Sequence, residues 1–245
     1  MKRLLAMTLA LLLCAAPALA ELTGEYRWPE GSSAEDAKYI YRYTYPWHEG
    51  NDSVSEMINT FYQYLVEDAY AFAIPMAVEE LDPASDMPSG TIISTEATFA
   101  SEAYISYKVT TESVMGAAAD MIIAGHTFAL TGPKAGQVVA LPYLLGVLDM
   151  DETDTWLQER QTAKVDACVR NLVWDIIQEQ LSDGTVAYYD DLTFESLECG
   201  FYPEEDFYID AEGNIVFFLQ QSIAAPASEG VLLFPFTMEE LLDEI

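Results

Sequence analysis

Lys38 to Trp47 reads KYIYRYTYPW, and it sets the architecture of the chain. Tyr39, Tyr41, Tyr43 and Tyr45 recur at every second position, which is the period of a strand that buries one face, and Pro46 withdraws a ladder donor near its end. A helix follows from Asp52 or Ser53: Ser53-Val54-Ser55-Glu56 fits a capping box, and Val54, Met57, Phe61, Leu65, Ala69 and Phe72 continue at helical spacing. This predicts one apolar stripe lying against a sheet, with the helix ending before Pro75.

Outward from that unit, Leu81 to Gly90 has a loop's composition, with Asp82, Pro83, Asp86 and Pro88. Strands are predicted over Thr91 to Phe99, Ala103 to Thr111 and Met121 to Leu130. A second long helix is expected from about Asp154 to Leu181, burying Leu157, Val165, Cys168, Leu172, Val173, Ile176 and Ile177, with Asp183-Gly184 as its exit. Phe207 to Asp210 and Ile215 to Leu219 flank the turn Ala211-Glu212-Gly213-Asn214 as a hairpin, Val231 to Phe236 forms a last strand, and Glu239 to Ile245 follows as an acidic tail. The order is that of an α+β protein.

The first twenty residues carry the marks of an export signal. Lys2 and Arg3 precede the twelve-residue apolar run Leu4 to Ala15, and Ala18-Leu19-Ala20 is a small-x-small cleavage site, so the mature chain is expected to be secreted and to begin at Glu21, after Ala20. Twelve residues rise only about 18 Å as a helix, short of the roughly 30 Å hydrocarbon core, so no stable membrane span is expected there. Cys14 invites a lipoprotein reading. Leu13 stands before it, where lipidation normally requires Gly or Ala, and the reading is set aside.

Without the leader, eight basic residues face 41 acidic ones, a formal charge of −33. From Asn171 to Ile245 there are seventeen acidic residues and no Lys or Arg. Such a field repels phosphates and steers cationic partners inward, so nucleic acid is excluded as a ligand. The 51% apolar and 12% aromatic content is that of a folded protein, and about 225 mature residues suit one large domain or two small ones.

Motifs for chemistry are mostly missing. The two histidines, His48 and His126, lack the paired spacing of a zinc hydrolase, and His126 within a strand reads as structural. Asp149 to Asp154, DMDETD, resembles a calcium loop but has no central Gly, and Arg160 occupies the twelfth position; the acids suit a helix N-terminus instead. No nucleophile elbow, phosphate loop or dinucleotide fingerprint occurs. Hence neither metal nor cofactor is expected, and no residue is assigned as catalytic. Among 41 acids, carboxylate pairs suited to glycoside hydrolysis arise by chance. After cleavage Cys168 and Cys199 remain, with thirty residues between them. A disulfide between them would contribute about 3 to 4 kcal/mol by loop closure; the alternative is two buried free thiols.

Several segments, in order, resemble the C-terminal ectodomain of RsiV-type anti-sigma factors, a domain of unknown function also attached to PdaC-type peptidoglycan deacetylases. They are Tyr43-Thr44-Tyr45-Pro46 ahead of a helix with Ile58-Asn59; Ala124-Gly125-His126 with Phe128-Ala129-Leu130-Thr131-Gly132; and Val139 to Leu145. Phe207 to Asp210, Gly213 to Phe218, Ile223 to Gly230 and Phe234-Pro235-Phe236 complete the set. The resemblance implies two linked α+β subdomains, each a long helix on an antiparallel or mixed sheet: residues 21–90 as an N-terminal strand-helix unit and residues 91–245 as the RsiV-like unit. It also implies binding rather than catalysis, since the best understood members recognise lysozyme, a basic protein. The expectation is thus a secreted, non-enzymatic, acidic binding protein of the bacterial envelope or extracellular space with a cationic, lysozyme-like partner. An envelope glycan hydrolase with paired carboxylates is the alternative.

Overall fold

The structure, a computed structural model, describes residues 21–30, 37–82, 87 and 89–245. The leader, Cys14 and Ala20 lie outside the described residues. Strand β1 (Glu21–Trp28) pairs antiparallel with β2 (Tyr39–His48). From β2 the chain crosses through helix α1 (Ser53–Asp68), a π-helical turn at Ala69–Ala73 and helix α2 (Ile74–Glu79) to β3 (Ser89–Ala100), which lies parallel to β2. Two antiparallel hairpins then add β4 (Tyr104–Met115) and β5 (Ala118–Ala129), giving a five-stranded mixed sheet in sequential order.

Period two in β2 is realised as expected: Tyr39, Tyr41 and Tyr43 are buried under α1 with Ile105, Tyr107 and Phe128. The helix itself is rotated relative to the predicted stripe. Its buried side chains are Ser55, Ile58, Asn59 and Tyr62, while Met57 and Phe72 are 39% and 63% exposed. Polar groups on that face are satisfied locally, which is what lets it turn inward. Asn59 accepts from the His48 N–H at 2.9 Å and donates to its carbonyl at 2.8 Å. The cap is Asp52 rather than Ser53, with its carboxylate accepting from the N–H groups of Val54 and Ser55. The π turn then shifts the register, carrying Tyr70 and Phe72 outward.

The rest of the chain forms α3 (Leu141–Leu144), α4 (Thr155–Asp183), α5 (Phe194–Gly200), β6 (Phe207–Ile209), β7 (Ile215–Leu219), β8 (Leu232–Phe236) and α6 (Met238–Glu244). Asp154 caps α4 through the N–H groups of Trp156 and Leu157, and Gly184 ends it at φ 65°, a left-handed conformation suited to glycine. The acidic tail is partly helical because Thr237 and Glu240 form a capping box, and Leu241 is buried beneath it.

Strands β6, β7 and β8 make a second, antiparallel sheet. Its central strand, Ile-Val-Phe-Phe-Leu, is buried on both sides. Ile215, Phe217 and Leu219 join Val165, Val169, Val173 and Ile177 of α4, whereas Val216 and Phe218 join Tyr208 and Ile123 against the first sheet. The layers therefore run α1, five-stranded sheet, three-stranded sheet, α4. Helix α2 and strand β3, on either side of the segment 81–90, both belong with the five-stranded sheet, and the elements after β5 supply most of the second core. No helix among the described residues is long and apolar enough to cross a membrane.

Candidate functional site: an acid-walled cleft on a strand edge

The free edge of β5 borders a cleft of about 650 Å³. One wall comes from the α1 side of the sheet, with Phe61 and His126, and the other from the turn before β6, with Glu204, Glu205 and Asp206; Val138 to Ala140 and Gln220 close the ends. None of the lining residues is Lys or Arg.

Glycine at position 125 is required by the crossing of β6. A Cβ there would overlap the Phe207 carbonyl oxygen. At neighbouring positions the strand edge is protected: Gln220 accepts from the Ile123 N–H at 3.0 Å and donates to its carbonyl at 2.6 Å, and Gln221 accepts from the Met121 N–H at 2.9 Å. Beyond the cleft the returning chain takes over, with the Val139 N–H donating to Thr127 at 2.8 Å and the Gly136 N–H to Ala129 at 2.7 Å.

His126 packs edge-on against Phe61 with ring centroids 4.9 Å apart, and its Nδ1 is 3.2 Å from the Tyr62 hydroxyl. Burial pushes its pKa down to about 4, so the ring is neutral at pH 7. His48 is buried away from the cleft, with Nε2 2.9 Å from the Tyr107 hydroxyl. Both histidines thus sit in hydrogen-bonded positions in and beside the α1 core.

The acidic wall is backed by buried charge. Asp166 on α4 is 5% exposed, and its carboxyl lies against that of Glu204, with Arg170 on its other side at 3.7 Å. Burial and the adjacent Glu204 carboxyl hold Asp166 far above the usual carboxylate range, so Asp166 keeps its proton at neutral pH. Arg170 is fixed by donating from Nε to the Phe201 carbonyl at 3.2 Å. Asp206 is pushed up to about 6 by burial, although it accepts a 2.7 Å hydrogen bond from the Tyr202 N–H, which fastens the turn.

The other candidate residues are dispersed. Glu152 and Asp154 of the acidic run are occupied by backbone N–H groups at the start of α4. No group of three or more His, Cys, Asp or Glu able to hold a metal occurs among the described residues. Cys168, half-buried, and Cys199, exposed on α5, are free thiols in the structure. Glu21 opens β1. Sequence reasoning missed Asp166, a lone acid beside the apolar positions of α4, and it merged Glu204-Glu205-Asp206 into the general acidity. The one signal available was their enclosure between Phe201-Tyr202-Pro203 and Phe207.

No family model matches the sequence, and no curated protein matches it either. Solved structures do. A DUF3298-family protein from Bacteroides fragilis superposes with a TM-score of 0.54 at 14% identity, covering 92% of this chain and 93% of the other. The fold is that of DUF3298 proteins. A second member, from Pseudomonas aeruginosa, gives a TM-score of 0.51 at 9% identity with 92% of each chain covered. The likeness covers 92% of this chain in both cases and is therefore not confined to one of its two sheets.

Proposed function

We propose that this protein is a secreted, non-catalytic binding module that captures a cationic partner, such as a lysozyme-like enzyme, at the cleft beside β5. The observation that carries the reading is a 650 Å³ cleft lined by Glu204, Glu205 and Asp206 and by no Lys or Arg. The formal charge of −31 on the whole chain adds long-range attraction for a basic partner. The resemblance to RsiV-type ectodomains points the same way.

The test is binding of the mature protein to hen lysozyme. Association is expected at low ionic strength, weakening as salt is added and weakening again in the triple variant Glu204→Gln, Glu205→Gln, Asp206→Asn. Absence of binding at low ionic strength would count against the reading.

A second reading, hydrolysis of envelope glycans, is favoured by one observation: Asp206, with its pKa raised to about 6, lies in the same cleft as Glu204 and Glu205, as a general acid beside a carboxylate partner would. Its hydrogen bond to Tyr202 gives that carboxyl a structural task as well. Turnover of peptidoglycan fragments that disappears in Asp206→Asn would establish hydrolysis and displace the binding-only reading.

A further inference from the structure

We infer that the cleft binds its partner as an extended peptide that pairs with the backbone of Gly125 and carries a basic side chain next to an apolar one. The inference rests on the cationic-partner reading and specifies how the partner is held.

The outward peptide groups of β5 belong to its odd-numbered residues. The Met121 N–H and both groups of Ile123 are taken by glutamine side chains, and the Thr127 carbonyl and both groups of Ala129 by the returning chain. The pairing of β4 with β5 has no bulge, so Gly125 faces outward too. Its N–H and C=O have no partner among the described residues, and they open on the cleft. A strand edge is normally covered or paired, because an open donor and acceptor at strand spacing is a template for another chain. Here the cover lapses over the Gly125 N–H and C=O and the adjoining Thr127 N–H, between Gln220 on Ile123 and Val139 on the Thr127 carbonyl, each about 7 Å from Gly125 along the strand. One peptide unit of a ligand fits that gap.

Successive side chains of an extended ligand point to opposite faces. On this edge the two faces differ: Phe61 and the neutral His126 lie on one side, and Glu204, Glu205 and Asp206 on the other. A Lys or Arg placed toward the acids puts its neighbour against the Phe61 ring. Main-chain bonds would supply affinity and the two unlike walls specificity, as in strand addition generally. A diamine or amino sugar offers the charge without the extended backbone.

The test uses the 15N-labelled mature protein and three probes at low ionic strength: acetyl-Leu-Lys-Leu-Lys-Leu-amide, the same peptide with every backbone amide N-methylated, and cadaverine. The plain peptide is expected to shift the Gly125 amide resonance and to bind at least tenfold more tightly than its methylated twin, which has equal charge but no backbone N–H. Equal affinity for the two peptides, or a Gly125 resonance unmoved by the plain one, overturns the strand-edge site while leaving cationic capture standing. Failure of all three probes and of lysozyme to bind removes the cationic reading, and the edge proposal with it.

Discussion

Replacing Asp166 by Asn probes the buried proton directly. In the folded protein Asp166 keeps its proton well above pH 4, because burial and the Glu204 carboxyl disfavour its charged form; in the unfolded chain it ionises near its ordinary value of 3.8. The folded state therefore holds one proton that the unfolded state has released, and stability falls as pH rises through that window, by about 1.4 kcal/mol per pH unit for a single proton. From pH 5 to pH 7 this amounts to about 2.7 kcal/mol. Asparagine has nearly the same shape, cannot titrate, and offers an N–H to Glu204 where the acid offers its O–H. Wild type and variant should be unfolded in urea at both pH values. The advantage of Asp166→Asn over wild type is expected to be about 2 to 3 kcal/mol greater at pH 7 than at pH 5. Taking the difference between the two proteins cancels the other titrating groups. Equal differences at the two pH values would refute the retention of a proton on Asp166 in the folded protein.

Asn59→Ala removes both hydrogen bonds to the His48 backbone in a buried setting and should cost about 2 to 4 kcal/mol, measured by chemical denaturation. Gly125→Ala forces a methyl onto the Phe207 carbonyl and should destabilise by about 3 kcal/mol, read as a fall in Tm; an unchanged Tm would mean β6 does not cross there. Unreduced mature protein should titrate with two thiols, Cys199 reacting promptly and the half-buried Cys168 slowly, whose pKa burial raises further; a count of zero would mean that the two are bridged.

Much of the fold was legible because its signals are local. The tyrosine alternation of β2 and the all-apolar β7 depend on strand period and burial alone, and both long helices begin at an aspartate cap. The inward face of α1 was misread because Asn59 and Ser55 look like solvent residues until the partners they meet are known. Likewise the tail's helix depends on a capping box, Thr237 with Glu240, that was hidden by the acidity around it. The cleft was not legible at all. Its parts come from residues 61, 123–127, 138–140, 204–207, 218 and 220, brought together by the stacking of two sheets, and nothing in local periodicity records which strand edge a distant loop leaves open.

The placement of β7 bears on how the molecule comes apart. A strand whose alternate side chains serve two different interiors ties the fate of each to the other. Peeling the C-terminal helices away would strip Ile215 and Phe217, and the same motion would loosen Val216 and Phe218 from Ile123 on the opposite side. Neither end of the chain should therefore persist as a folded fragment after proteolysis, and heating should melt both interiors together in one transition.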